Sequence, residues 1–551
     1  MGRLLSKERD TWVEYNTKSL YRKENGQWVQ RDWSILDGRK YLYEWLPLVS
    51  GQIGYVSLGD SIAAGHTINE NWDRDYGERS QYAYGDSGNK ETALVPNCYT
   101  DLIYRDLVSV YGVNNVFFKS FARSGDMVYQ LIDKLTHPTV REALTKADLV
   151  TVCIGANDVL QPALLGLEDY IYTGSLVEIE NAITSNLANL QNDSSPTSYR
   201  AMLNKLAEVN PTAKYLFTTV YNPYKYLYLK PGPDGFFKPL LDTIPKNWVL
   251  DIDEMIEDMF GLPDLSYWSL TDWKWVSIEL DFDIGSTIKN GLLSVPIVQQ
   301  LFQRVNNLSA WTETRVTQLN NIIKTEVNAY QATNPNFSVV DTKALFDQFP
   351  DKTSSSADVD YSDLVSVEFT SVDTTMTADW GQLYGGDPAG FWTNLAYKYL
   401  TFTNAVPSLN VADYVSFDLV GFATDLVRQI VEKVVIPDVD PHPEYRGHAV
   451  LKRSFTNAIG LVKYVPNGGG HVPGEIVGVG KSLAETKPTW VGCSFAGWYT
   501  DPALTQIQNL TRTDYVDHDE SVTLAEMVDG STVKAKTPKT TTLYAKWTAN
   551  T

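Results

Sequence analysis

The sequence predicts an α/β protein built on a parallel sheet, followed by a small C-terminal β-rich domain. Three observations carry this reading. From residue 53 to about 224, short continuous apolar runs alternate with helix-length segments, the pattern of strands buried on both faces. Glycine-containing polar turns follow these runs immediately, at Gly59-Asp60-Ser61, at Gly125 and at Gly155-Ala156-Asn157-Asp158, and parallel sheets hold their sites at strand C-termini. After residue 459 the composition shifts to Thr, Gly and Val in short alternating segments.

Residues 1–50 are polar and rich in tryptophan, with no helical period. Ser19–Trp33 predicts a hairpin about Asn25-Gly26, a strong two-residue turn signal, in an attachment segment too short to hold its own core. Expected strands lie at 53–58, 115–121, 147–154, 213–220 and 337–341, with helices near 99–111, 312–330, 418–435 and 447–457. A polar, aspartate-rich loop spans 66–94. Two aromatic-rich insertions interrupt the alternation within residues 51–458: about 225–310, with Trp248, Trp268, Trp273 and Trp275, and about 348–415, with Trp380 and Trp392. Residues 459–551 form the β-rich domain, from the turn cluster Pro466–Gly470 to Thr542–Trp547.

Composition excludes several functions. A formal charge of −21 over 551 residues repels phosphate, which argues against nucleic acid and against an anionic membrane surface. Cys98, Cys153 and Cys493 make no disulfide framework and no CxxC pair for zinc, and Cys153 sits in an apolar run expected in the core. No run of about 18 apolar residues predicts a membrane span. Met1–Asp10 has no apolar stretch after its charges, so no secretory leader is read there.

Ser61 stands where a strand ends and a helix begins. Asp-Ser before an apolar run also reads as a plain helix N-cap. The remaining polar signals favour chemistry. A serine nucleophile needs a base held by an acid and donors aimed at the oxyanion. His442 can be the base, with Asp440 or Asp438 to orient it. The backbone N–H groups of Ser61 and Gly125 and the Asn157 amide can form the oxyanion hole, Gly125 because a backbone amide must approach substrate unobstructed. His448 reads as structural, helping to start the last helix, and His66 as lining the cleft.

These blocks, in this order, resemble the GDSL/SGNH hydrolase family: Gly59-Asp60-Ser61, the Gly125 turn, Gly155-x-Asn157-Asp158, and Asp440-Pro-His442-Pro followed by Gly447-His448. The resemblance covers about 53–458 apart from the insertions. It implies a three-layer α/β/α sandwich, Ser61 as nucleophile, His442 as base, Asp440 as orienting acid, and an oxyanion hole from Ser61, Gly125 and Asn157. It implies no metal and no cofactor. Asp440 stands two residues before His442 and Asp438 four, where the family pattern has three, so both aspartates stay as candidates.

Tyr464–Gly470, Phe495–Pro502 and Thr542–Trp547 resemble one Listeria–Bacteroides (internalin B-type) repeat, which implies a β-grasp-like module of surface or phage-borne proteins. The Asn25–Val29 hairpin is similar to those of structural proteins from phages of Gram-positive bacteria. Gly478-Val-Gly-Lys-Ser482 is no phosphate loop, since Glu475 stands where the first glycine is required. No G-x-S-x-G elbow occurs, which disfavours the α/β-hydrolase fold.

The expectation is a serine esterase or deacetylase acting on O-acyl groups of a cell-surface polysaccharide. A lipase on lipid esters and a virion or surface adhesion protein using the fold structurally are the alternatives. Residues 1–50 and 459–551 point to virion or cell-surface proteins as partners, with a homo-oligomer left open, and to a location outside the cell or on a phage tail.

Overall fold

The computed structural model describes residues 4–8, 11–15, 20–24, 27–31, 52–66, 95–243, 249–251, 281–283, 288, 291–352, 359–365, 398–402, 415–430, 441–484, 486–516 and 523–550. Asp438, Asp440, the loop 67–94 and most of both insertions lie outside these residues.

Five strands form a parallel sheet: β1 (Ile53–Gly59), β2 (Val116–Ser120), β3 (Leu149–Cys153), β4 (Lys214–Thr218) and β5 (Phe337–Val340). Their spatial order is β5-β4-β3-β1-β2, so the chain reverses direction of travel across the sheet between β1 and β3. That switch point is where an open α/β sheet leaves a crevice at its strand C-termini. Tyr55 pairs with Leu149 and Gly59 with Cys153, while Ser57 pairs with Ser120.

Side-chain alternation along β4 shows helices on both faces. Tyr215 Oη donates to the carbonyls of Leu206 at 3.1 Å and Asn210 at 2.9 Å, and the Phe217 ring packs on Tyr199, all on the side of α5 (Tyr199–Val209). Thr218 Oγ1 points the other way, donating to Thr342 Oγ1 at 2.6 Å, which in turn shares a hydrogen bond with Ser454 of α8 (Tyr445–Thr456). The α/β architecture with a parallel sheet is therefore as the sequence predicts.

The expected helix at 312–330 is the second half of a 36-residue helix, α6 (Pro296–Gln331). Pro296 sits in its first turn, where its missing N–H costs nothing, and Val298, Leu301, Phe302, Val305 and Leu308 extend the buried stripe. That stripe lay hidden inside the segment read as an insertion. The hairpin about Asn25-Gly26 has its strands, Leu20–Glu24 against Gln27–Arg31, and a second pair joins Leu4–Glu8 to Thr11–Tyr15.

Near the C-terminus, β6 (Ile459–Val465), β7 (Glu475–Gly478), β8 (Cys493–Tyr499) and β9 (Lys539–Ala549) form a mixed sheet ordered β7-β6-β9-β8. Period-two alternation divides β6 between two cores. Ile459 and Leu461 enter the main core, whereas Val462 and Tyr464 join Trp498, Leu543 and Ala545 in a second one. Lys452 of α8 ion-pairs with Asp106 at 2.6 Å and donates to the Lys536 carbonyl, and Tyr111 Oη donates to the Glu475 carbonyl at 2.9 Å. Among the described residues no helix is long and apolar enough to cross a membrane.

Candidate active site

β1 delivers the first residues of the site. Gly59 adopts φ +149°, and a Cβ there would lie 2.1 Å from the Cys153 carbonyl oxygen, so only glycine lets the strand end run this close to β3. The Asp60 N–H donates to that same carbonyl at 3.0 Å. Asp60 then caps a four-residue helix, α1 (Ser61–Ala64), its Oδ1 accepting the Ile62 N–H at 3.0 Å. The cap reading of Asp60-Ser61 holds: aspartate caps, and serine is the first helical residue, its hydroxyl not used by the cap.

The Ser61 hydroxyl meets a group 381 residues away: His442 Nε2 lies 2.6 Å from Ser61 Oγ. His442 is carried on a segment just before α8. Tyr221 Oη donates to the Pro441 carbonyl at 2.7 Å, and the Glu444 N–H donates to the Leu364 carbonyl at 2.9 Å, so the histidine is flanked by fixed backbone. His66 lines the same pocket, its ring centroid 4.0 Å from that of His442. Of the two aspartates expected to orient His442, neither lies within the described residues.

The turns after β2 and β3 supply the other two expected residues. Gly125 has φ +82°, with nothing among the described residues within 4 Å of where a Cβ would stand, and it lines the pocket. Asn157 lies in the first turn of α4 (Ala156–Leu165) and donates from Nδ2 to the Asp126 carbonyl at 3.0 Å. Ser61, Gly125, Asn157 and His442 line one pocket of about 190 Å³ with an apolar wall of Ile62, Leu160, Leu164 and Val220.

Beneath the pocket the charge is buried. Burial pushes Asp60 up to about 7, with the neighbouring carboxylates Asp126 and Asp158 adding to it. Asp158, which accepts the Val128 N–H at 3.1 Å, is likewise pushed to about 7 by burial. Lys134 ion-pairs with Asp126, and burial lowers it to about 8 against that partner's pull. His448 is fully buried, and burial, reinforced by His442, holds it at about 3. It is neutral at ordinary pH, free of charge to accept the Tyr99 N–H at Nδ1 (3.2 Å), a structural role in α8 as the sequence suggests.

Beyond the expected residues, Tyr221 and a Leu160/Leu164 wall also line the pocket. Both carried signals: Tyr221 follows β4 as Ser61 follows β1, and the two leucines recur four apart on α4, the helix that carries Asn157 in its first turn.

No family model matches the chain, including its C-terminal segment, and no curated protein matches. Among solved structures, the chain is similar to an extracellular lipase from Streptomyces rimosus at 14% identity and TM-score 0.26, over 54% of this chain and 83% of that one. It is similar to phospholipase A1 from Streptomyces albidoflavus NA297 at 14% identity and TM-score 0.27, with coverage of 54% and 83%. The acetylxylan esterase Axe2 from Geobacillus stearothermophilus matches at 14% identity and TM-score 0.23, over 63% of this chain and 94% of that one. Likeness at these levels assigns no activity, and the chemistry of the pocket rests on its own geometry.

Proposed function

We propose that the protein is a serine ester hydrolase that works through an acyl-Ser61 intermediate. One observation carries the reading: the 2.6 Å contact between Ser61 Oγ and His442 Nε2, at the C-terminal edge of a parallel sheet and beside Gly125 and Asn157. His442 takes the serine proton as Oγ attacks the ester carbonyl and returns it to the departing alcohol. The N–H groups of Ser61 and Gly125 and the Asn157 amide receive the negative charge that develops on the carbonyl oxygen. Water then attacks the acyl-enzyme by the same route. Asp440, or Asp438, is the proposed orienting acid.

For the substrate we favour O-acyl groups on a cell-surface polysaccharide; the pocket of about 190 Å³ suits the short acyl group of that reading and does not bear on the polymer. The apolar wall of Ile62, Leu160, Leu164 and Val220 favours lipid esters as the second reading. Hydrolysis of p-nitrophenyl esters from acetate to palmitate, with Ser61→Ala in parallel, separates the two. Ser61-dependent turnover that fades beyond the shortest chains supports the deacylase. A preference for long chains moves the assignment to a lipase. No Ser61-dependent turnover on any ester rejects hydrolysis and leaves an adhesive role for the fold.

A further inference from the structure

Gly125 and Asn157 can stabilise an oxyanion only if the turn between β2 and α3 (Val128–Lys134) is fixed. Lys134, the last residue of α3, is buried with its side chain 1% exposed, and Nζ donates to the Phe121 carbonyl at 2.9 Å. The same ammonium pairs with the Asp126 carboxylate, also 1% exposed. Phe121 and Asp126 are the two ends of the turn that carries Ser124 and Gly125, so one buried cation holds both ends. Asp126 extends the link: its carboxylate meets Lys134 while its backbone carbonyl accepts the Asn157 amide at 3.0 Å. Neither Lys134 nor Asp126 lines the pocket.

We propose that Lys134, through Asp126, is a positioning residue that sets the oxyanion donors Gly125 and Asn157. The inference rests on the hydrolase reading above. Burying two charges is a poor way to gain stability, because an apolar pair of similar volume often does as well or better. An apolar pair has no direction, however. It cannot tie the end of β2 and the Asp126 peptide to one point while a glycine between them sits at φ +82°. Donors displaced by a fraction of an ångström lose their transition-state contacts, and this clamp supplies the directional constraint. The rest of the turn is already anchored to the nucleophile strand: the Phe121 N–H donates to the Ser57 carbonyl at 2.8 Å, and the Arg123 N–H to the Gly59 carbonyl at 3.0 Å.

The test is the double variant Lys134→Met/Asp126→Asn, which removes the pair without leaving a lone buried charge. Turnover of p-nitrophenyl acetate is measured per Ser61 titrated with a fluorophosphonate, in the full chain. We expect kcat per titrated site to fall about 10–100-fold, a fraction of what losing a whole oxyanion donor costs, with KM within about twofold. Adding Asn157→Ala should then cost less than it does in the wild-type background, because the amide is already misplaced. Should the double variant fail to accumulate, Asp126→Asn alone, which keeps the Lys134–Phe121 bond, carries the same readout. An unchanged kcat per titrated site, with only a lower melting temperature or titratable fraction, makes the pair structural and overturns the inference. Absence of Ser61-dependent turnover in the wild type overturns the hydrolase reading, and this inference with it.

Discussion

Gly125→Ala separates backbone strain from chemistry at the candidate oxyanion hole. The residue sits at φ +82°, where an L side chain costs about 1–2 kcal/mol. Among the described residues no atom lies within 4 Å of the added methyl, so no clash with them adds to that cost and the fold should survive. Catalysis should suffer more. An alanine there either holds the strained conformation with a methyl at the pocket wall, or relaxes and turns its N–H away from the substrate oxygen. Removing one oxyanion donor typically costs about 10²–10³ in kcat, or about 2.7–4 kcal/mol. We therefore expect a loss of about 1–2 kcal/mol in denaturant unfolding, beside a fall of about 100-fold or more in kcat per titrated Ser61 on p-nitrophenyl acetate. A kcat within about threefold of wild type would refute the assignment of Gly125 to the hole, since strain alone cannot spare the chemistry.

The remaining predictions concern charge. His448 is held at about 3, below its ordinary 6.5, so it contributes stability above pH 6.5 that is lost as pH falls toward 3. The destabilisation caused by His448→Gln should therefore shrink by about 2 kcal/mol between pH 6.5 and pH 5 in denaturant titrations, and a pH-independent difference contradicts the buried neutral imidazole. Asp60 and Asp158, raised to about 7, act in the opposite direction in both proteins, which is why the difference between variant and wild type is the quantity to read. Lys452→Met leaves the partly buried Asp106 without its ammonium and should cost up to about 3 kcal/mol in unfolding experiments, with Asp106→Asn in the same chain recovering part of it. Of Asp440→Asn and Asp438→Asn, one should lower kcat by up to about 10⁴-fold and the other leave it near wild type; two mild variants would mean that neither carboxylate orients His442.

What the sequence made legible follows from how locally each feature is encoded. β1, β2 and β3 are continuous apolar runs leading into glycine-containing turns, and those turns place Ser61, Gly125 and Asn157 together. His442 could be assigned only through its motif, since its approach to Ser61 depends on a fold that spans 381 residues. The first half of α6 was masked because its polar face, Gln299, Gln300 and Gln303 among its residues, follows a segment crowded with prolines and tryptophans. Lys134 and Asp126 were beyond reach for a different reason. A lysine at a helix end reads as solvated, and only the tertiary structure shows that this one is 1% exposed and points at a turn next to the pocket. The double life of β6, with Leu461 in the main core and Val462 in the second, is likewise visible only once both sheets are packed.

Covalent trapping of Ser61 tests the proposed hydrolase chemistry most directly. The protein is treated with a fluorophosphonate, digested, and the labelled peptide identified by mass spectrometry, with Ser61→Ala and His442→Ala alongside. A single adduct on Ser61 is expected, absent from Ser61→Ala and formed at least about 10³-fold more slowly in His442→Ala, because the hydroxyl then lacks its base. Labelling of Ser61 at an undiminished rate without His442, or labelling of another serine, would contradict it.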